Sequence, residues 1–323
     1  MTSEMKKLIF FFGLFLMGKI GCGSSMTAKM TQQQLKTTKI SPGWDGPLVN
    51  EYEKRVEPFT SIFIRELSDP FSNECPGQAN SASPTPPHSR PSILDVGCGS
   101  GFGSLWALER GFQVTATDIS ETAVRRIRER AGATDHLDCV VADGQELSSY
   151  VHKEHDYAIA AFSVIFFPDP LKGLKEIFHC LKCSGKVAVS AWGSQEETSA
   201  FQIFPRAFKQ VLPENLWKKS KPNRIEGSPS TLYSLLENAG FCDVKVVGPI
   251  QHAVHVASPA AFYDRFALTS PKLNDTLSNL TTEQRNAVKR EVMELAQREG
   301  GQTDGSISIH SSAYFAYGTK ELL

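Results

Sequence analysis

The stretch ILDVGCGSGFG, residues 93–103, runs from an apolar segment containing one acid, Asp95, into four glycines at alternate positions. A helix-compatible segment, Ser104–Arg110, follows directly. Glycine adopts positive φ angles, and because it lacks a Cβ it lets a ligand come close to the backbone. The free N–H groups at the start of a helix attract anionic or nucleotide-like ligands. The pattern therefore predicts a strand, a ligand-binding glycine turn and the start of a helix.

Further strand-like runs alternate with helix-like segments after this turn. The strand-like runs are Gln113–Thr117, Leu137–Ala142, Tyr157–Phe162 and Lys186–Trp192. The helix-like segments are Ser120–Ala131 and Leu171–Leu181. This alternation predicts a parallel sheet with helices on both faces. The second strand ends in Asp118 and the third in Asp143. Doubly wound sheets bind their ligands at the edge formed by the carboxyl ends of the strands. There an acid after the second strand accepts hydrogen bonds from ribose hydroxyls.

These motifs resemble those of the class I S-adenosylmethionine-dependent methyltransferases, within them the small-molecule branch related to ubiquinone and menaquinone biosynthesis enzymes. The motifs that carry the resemblance are DVGCGSG at 95–101, ATD at 116–118, ADG at 142–144, FFPD at 166–169 and LKCSGK at 181–186. The last departs from the family's LKPGG at Cys183 and Ser184, which we expect in a turn before the fifth strand. The resemblance covers about residues 92–193 and is looser beyond them.

The resemblance implies a doubly wound, Rossmann-like α/β fold with a seven-stranded, mostly parallel sheet and helical cap insertions. The last strand, Ile307–Tyr317, would be antiparallel. The predicted regions are a leader or disordered tail (1–40), an N-terminal helical cap (41–71), a flexible linker (72–91) and the methyltransferase domain (92–323), with cap insertions at about 195–227 and 258–300. The N-terminal cap has a helical pattern over Trp44–Leu67 that Pro58 would kink or divide.

The resemblance also implies a site for S-adenosylmethionine. Its predicted residues are Tyr52, Asp95, Gly97, Gly99, Gly101, Asp118, Ile119, Asp143, Gly144, Phe162 and Ser163. The glycines would cradle the methionine portion, with Asp95 beneath it near the amino group. Asp118 would bind the ribose, Ile119 would flank the adenine, and Asp143 would accept from the adenine amino group. Phe162 and Ser163 would lie beside the methyl group, with Tyr52 over the cofactor.

Each of these residues also has a purely structural interpretation. Tyr52 belongs to a stripe of apolar and aromatic residues that would face the core in any case. Asp95 and Asp118 are acids of the kind that cap turns, and Asp143-Gly144 is a common turn sequence. The aromatic residues of the first cap insertion would line a substrate pocket or form a satellite hydrophobic cluster.

Methyl transfer from a sulfonium is an in-line substitution with a good leaving group, so the protein mainly aligns the reactants and excludes water. A base is needed only when the acceptor must first lose a proton. We therefore expect no catalytic triad and assign no catalytic residue. His255 and His310 are weak candidates for a base that would face the cap.

Two other functions remain open at this point. A nicotinamide-dependent oxidoreductase would use G-x-G-x-x-G, whereas the spacing here is G-x-G-x-G-x-G, and Asp95 would repel a pyrophosphate. A non-catalytic protein that keeps the cofactor-binding fold would bind the ligand without turning it over. The intact glycine loop and acids argue against such a loss of activity.

The whole-chain composition limits the partners. The 323 residues are 41% hydrophobic and 21% charged with a net charge of −1, so we expect no nucleic-acid partner. Cys180 and Cys183 form a lone C-x-x-C without a second ligand pair, so no metal site is predicted. The aromatic cap residues indicate a small-molecule substrate that is partly apolar. The sequence does not indicate the oligomeric state.

The amino terminus allows two interpretations of location. Lys6 and Lys7 precede the apolar run Leu8–Met17, and small residues follow, so segment 1–23 has the layout of a secretory signal. The run is too short for a stable membrane span. Met26 and Met30 are alternative starts, and the cofactor that the resemblance implies is made in the cytosol. We therefore favour a cytoplasmic location, with export as the alternative.

Overall fold

The structure is a computed structural model that describes residues 44–72, 90–194, 196–217 and 227–321. The expected leader at 1–40 and nearly all of the expected linker at 72–91 lie outside the described residues. Within those ranges, no helix combines the length and the apolar character needed to cross a membrane.

Seven strands form one sheet that carries helices on its two faces. The strands are β1 (Ser92–Val96), β2 (Gln113–Asp118), β3 (Leu137–Val141), β4 (His155–Ala161), β5 (Leu181–Trp192), β6 (Cys242–Val256) and β7 (Ile307–Thr319). The helices are α1 (Pro47–Arg55), α2 (Glu57–Ser72), α3 (Phe102–Glu109), α4 (Glu121–Ala131), α5 (Pro170–His179), α6 (Ser199–Val211), α7 (Pro229–Ala239), α8 (Pro259–Thr269), α9 (Pro271–Ser278) and α10 (Thr282–Gly300).

The sheet has the order β3-β2-β1-β4-β5-β7-β6. The pairs among β1 to β5 are parallel, whereas β7 is antiparallel to both of its neighbours, β5 and β6. The doubly wound fold and its antiparallel last strand are thereby confirmed. The strand order reverses between β1 and β4, and doubly wound sheets bind their ligands at the carboxyl ends of the strands at such a point.

The amino-terminal helical pattern forms two helices, which confirms that the chain is divided near Pro58. Helix α1 ends at Arg55 and α2 begins at Glu57, so Pro58 occupies the first turn of α2, where no backbone N–H is needed. Helix α2 packs an apolar stripe onto the core through Phe59, Phe63 and Leu67, each at most 6% exposed. These spacings of four residues place one face of α2 against the sheet.

The cap helices begin at clear capping signals. Ser258 caps α8, and Thr281 forms a capping box with Gln284 at the start of α10. Both helices lie within the cap insertion expected at about 258–300. Helix α9, which Ser270 caps, was not predicted.

The start of β5 differs from the expected turn at Cys183 and Ser184. Leu181 already pairs with His155, and the next pair is Lys186 with Tyr157, so residues 182–185 form a bulge inside the strand. Ser184 has φ +62°, and its N–H donates to the carbonyl of Lys320 at 2.8 Å. The expectation of a turn before the strand was wrong, because pairing with the end of the chain keeps this segment in the sheet.

Candidate active site

The glycine loop after β1 lies at the carboxyl edge of the sheet. Gly97, Gly99 and Gly101 have φ angles of +69°, +54° and +98°. A Cβ on Gly97 would lie 2.4 Å from the Cβ of Ser163, and one on Gly101 would lie 2.6 Å from Ile127. A Cβ on Gly99 would meet no atom within 4 Å. Packing therefore requires glycine at two of these positions, while Gly99 faces open space where a ligand can approach.

The Asp118 carboxylate ties the end of β2 to this loop. It accepts a hydrogen bond from the N–H of Gly99 and another from the N–H of Ser120, each at 2.9 Å. Desolvation raises the pKa of Asp118, and the backbone donors oppose that shift. A carboxylate has about four lone-pair sites, so two donors leave room for the hydroxyls of a ligand.

Asp95 lies beneath the loop and is buried, with 3% of its surface exposed. The Ser104 hydroxyl donates to its Oδ2 at 2.6 Å. Burial, with a further contribution from the negative charge of Asp118, raises the pKa of Asp95 to about 7. A cationic ligand group at this position would favour the ionised carboxylate.

Asp143 and Gly144 follow β3 at the same edge. Asp143 Oδ1 accepts from the backbone N–H of Gln145 at 2.9 Å, which is a turn-capping role. Gly144 is covered by Phe167, whose Cζ would lie 2.2 Å from a Cβ at this position. Phe167 of the FFPD motif thus leaves no room for a Cβ at position 144, where the ADG motif has glycine.

Phe162 and Ser163 directly follow β4 at the same edge of the sheet. Phe162 has φ +55°, and its N–H donates to the Ser190 hydroxyl at 3.0 Å. Its ring stacks on Trp192, with the ring centroids 3.9 Å apart. Ser163 lies under the glycine loop and donates to the Val96 carbonyl at 2.6 Å. The predicted residues after β1, β2, β3 and β4 are therefore brought to one edge.

Tyr52 lies on α1, and Ile119 follows Asp118 directly. Burial raises the pKa of Tyr52, and the charges of Glu57 and Asp118 add to that shift. Ile119 is half-buried in the turn between Asp118 and the Ser120 cap of α4.

Two ion pairs that the sequence patterns did not predict, Glu57–Arg130 and Glu53–Arg126, attach the amino-terminal helices to α4 and the glycine loop; we call these two pairs the clamp. Arg130 donates to both carboxylate oxygens of Glu57, at 2.7 and 2.9 Å, and to the Ser100 carbonyl at 2.7 Å. Glu57 also accepts a hydrogen bond from the Ser100 hydroxyl. One turn earlier, Arg126 donates to both oxygens of Glu53, at 2.7 and 2.8 Å. The four-residue spacing within each pair of like charges was a signal available in the sequence.

The residue Asp45 adds a third attachment at the start of α4. It accepts from the Ser120 hydroxyl at 2.7 Å and from the Thr122 N–H at 3.0 Å. Desolvation works against the charge, but these hydrogen bonds outweigh it and lower the pKa of Asp45 to about 2. Segment 45–57 is therefore held by charged groups directly beside the site.

The structure places His255 and His310 on β6 and β7, not after β1 to β4 with the other predicted residues. Both are exposed on strands β6 and β7. They alternate with Val254 and Ile309, which are buried, and helix α10 packs against Ile309 near Gly300. Since successive side chains of a strand point to opposite faces, both histidines face away from this cap helix. The expectation that they face the cap is corrected.

A family model described as a methyltransferase domain matches residues 94–189. The chain is 25% identical over 171 residues to a demethylmenaquinone methyltransferase of Listeria welshimeri, which covers 48% of this chain and 72% of that enzyme. It is 25% identical over 167 residues to the chloroplastic 2-methyl-6-phytyl-1,4-hydroquinone methyltransferase 1 of Oryza sativa, covering 49% of this chain and 43% of that enzyme.

Solved structures share the architecture. The YcgJ protein of Bacillus subtilis matches 80% of this chain and 100% of its own, with a TM-score of 0.50 and 13% sequence identity. At this identity the likeness shows the fold alone.

Proposed function

We propose that this chain, which belongs to the class I S-adenosylmethionine-dependent methyltransferases, transfers a methyl group from S-adenosylmethionine to a small-molecule acceptor. The observation that carries the proposal is the meeting of Asp95, Gly99 and Asp118 at the point where the strand order reverses. A buried acid beneath the loop suits a ligand with an amino cation, and an acid with free lone pairs suits a ribose.

Each predicted residue has a role in this proposal. The backbone of Gly97, Gly99 and Gly101 holds the methionine portion, and Asp95 balances its amino group. The adenosine portion is bound by Asp118 at the ribose hydroxyls, Ile119 at the adenine face, and Asp143 with Gly144 at the adenine amino group. Tyr52 covers the cofactor, and Phe162 and Ser163 lie beside the reacting methyl.

When bound, S-adenosylmethionine supplies an electrophilic methyl group on its sulfonium. The protein then has to hold the acceptor in line and keep water out. Rings from α2, β5 and α6 surround the end of β4, where Phe162 stacks on Trp192 and Trp192 meets Phe201 edge-on at 5.1 Å. This aromatic surface excludes water without supplying a base.

The acceptor is proposed to be partly apolar because the rings around the end of β4 form an aromatic wall, and such walls stabilise apolar and planar ligands. The names of the two relatives give a menaquinone precursor and a phytyl hydroquinone, which are partly apolar molecules with a planar ring. Asp95 within β1 disfavours the pyrophosphate of a nicotinamide dinucleotide. We also propose a cytoplasmic protein without a nucleic-acid partner, because the cofactor is made in the cytosol and the net charge is −1.

Transfer of label from methyl-labelled S-adenosylmethionine tests the proposal. The full chain is incubated with the protein-free, low-mass fraction of a cell extract, and the label is followed into extractable small molecules. Asp118→Ala should abolish the product. Asp138→Asn should retain it, because Asp138 is a surface acid on β3, 53% exposed, that pairs with Lys153. Binding without labelled product would instead support a non-catalytic protein.

A further inference from the structure

Arg265, on cap helix α8, is a buried cation that forms no ion pair with a carboxylate among the described residues. Its surface is only 6% exposed. Among the described residues, no ion pair or side-chain hydrogen bond engages its guanidinium, whose carbon lies 5.1 Å from the centre of the Phe59 ring. Burying a guanidinium without a counter-charge is costly, so such a group is expected to have a partner in the working protein.

Three acids of α1 and of α2, the helix that carries Phe59, pair with other residues. Glu57 binds Arg130, Glu53 binds Arg126, and Glu66 lies 2.8 Å from His252. Desolvation lowers the pKa of the Arg265 guanidinium to about 10, and the Tyr52 phenol partly offsets this shift. Within the described residues, these pairs leave the cation available to a ligand.

The position of Arg265 indicates which ligand. Its neighbour Phe59 stacks parallel to Trp192 with ring centroids 5.9 Å apart, and Trp192 in turn stacks on Phe162. Phe162 follows β4, where the methyl group is transferred in the proposed function. Arg265 thus lies at the end of an aromatic wall on the β4–β5 side. The residues proposed for the methionine and adenosine portions of the cofactor follow β1, β2 and β3, whereas those proposed beside the methyl group follow β4.

We propose that Arg265 binds an anionic group of the methyl acceptor, which makes the acceptor a planar, largely apolar molecule that carries a carboxylate. A guanidinium forms two parallel hydrogen bonds with a carboxylate, so it fixes the orientation of the acceptor as well as its charge. The inference rests on the proposed function, since it assigns the acceptor of that same site.

The test compares an aromatic acid with its neutral amide. The full chain is titrated calorimetrically with 1-naphthoate and with 1-naphthamide, with and without saturating S-adenosylhomocysteine. The wild-type protein should bind the acid about tenfold more tightly, the effect of one charge-assisted pair. Arg265→Gln should remove this preference and leave S-adenosylhomocysteine affinity within about twofold. Arg265→Lys should keep part of the preference.

Arg206→Gln is the matched control, because Arg206 is a cap-helix cation that is 43% exposed and pairs with Glu299. It should retain the full preference. Thermal unfolding separates binding from packing: Arg265→Gln should unfold at the same or a higher temperature, since it removes an unpaired buried charge.

Three results would overturn the proposal. One is equal affinity of the wild-type protein for acid and amide, including no binding of either at millimolar concentration. Another is a loss of S-adenosylhomocysteine affinity in Arg265→Gln, which would assign the cation to the cofactor carboxylate. The third is a large fall in unfolding temperature in that variant. Failure of the wild-type protein to bind S-adenosylhomocysteine would refute the proposed function separately. The comparison of acid and amide made in the absence of S-adenosylhomocysteine would still test the role of Arg265.

Discussion

Asp95 is an acid inside a buried strand, and in the proposed function its protonation is coupled to ligand binding. Its pKa of about 7 in the folded protein lies well above the ordinary value of 3.8. Between those pH values the folded protein holds a proton that the unfolded chain releases. The contribution of Asp95 to the free energy of unfolding therefore decreases as pH rises towards 7. A cationic ligand group beside Asp95 offsets part of this decrease because it stabilises the ionised carboxylate.

The affinity for S-adenosylhomocysteine, whose amino group is cationic, should consequently fall as pH drops below about 7. The slope should approach tenfold per pH unit, because one proton competes with one ligand. Calorimetry from pH 5 to 8 measures the slope. Asp95→Asn should bind weakly at every pH and lose the slope, and a wild-type affinity that does not change with pH would contradict this role.

Gly99 differs from the other loop glycines because the space beside it is open. Gly99→Ala should cost about 1–3 kcal/mol of folding free energy, for the positive φ alone, and should place a methyl group where the ligand approaches. Gly132→Ala is the matched control: Gly132 has φ +68°, also with no atom within 4 Å of a Cβ, and lies at the end of α4.

Both variants should show similar falls in unfolding temperature, but only Gly99→Ala should weaken S-adenosylhomocysteine binding. Gly97→Ala should be much less stable, since its Cβ would lie 2.4 Å from Ser163. Equal affinities in Gly99→Ala and Gly132→Ala would show that the ligand does not approach the loop at Gly99.

At the scale of elements, helices α1 and α2 are fastened to α4 by charge. The Glu57–Arg130 pair is largely buried, with side-chain exposures of 11% and 20%, and both residues hold Ser100 of the glycine loop. Removing one partner of a buried pair typically costs about 3–5 kcal/mol, because the other charge is left uncompensated. The position of the glycine loop at Ser100 therefore depends on the docking of segment 45–57 onto α4.

Arg130→Gln should lower the unfolding free energy by a few kcal/mol and weaken S-adenosylhomocysteine binding. A double-mutant cycle with Glu57→Gln should give a coupling energy above about 1 kcal/mol. The Lys153–Asp138 pair, 72% and 53% exposed, should give less than about 1 kcal/mol and leave binding unchanged. Equal coupling in the two cycles would mean that the clamp does not organise the site.

Element prediction succeeded where local chemistry decides the outcome. Helices α8 and α10 lie in the cap insertion expected at about 258–300, and the Thr281–Gln284 capping box that starts α10 acts within one turn. Helix α9 was missed because its eight residues offer little periodicity beyond Leu273 and Leu277, although Ser270-Pro271 is a start signal. The bulge at Ser184 depends on pairing with Lys320, which no local pattern reveals.

For the whole molecule, the sequence predicted the sheet topology and the residues that line its carboxyl edge. Glycines and acids after successive strands necessarily meet there, so the site could be assembled without coordinates. The four-residue spacings of Glu53 with Glu57 and of Arg126 with Arg130 are visible in the sequence, but no local pattern shows which acid pairs with which arginine. Glu57 and Arg130 are separated by 73 positions. The burial of Arg265 likewise depends on contacts with residues far away in the chain. A buried cation is recognised only once the surrounding charges are known to be paired.

The edge formed by Asp95, Gly99 and Asp118 is proposed to bind S-adenosylmethionine. Calorimetric titration of the full chain with S-adenosylhomocysteine, and separately with NADH, is the most direct test of this site. We expect micromolar binding of S-adenosylhomocysteine alone, and its loss in Asp118→Ala with an unchanged circular dichroism spectrum. Binding of NADH, or of neither ligand by the wild-type protein, would refute the proposed site.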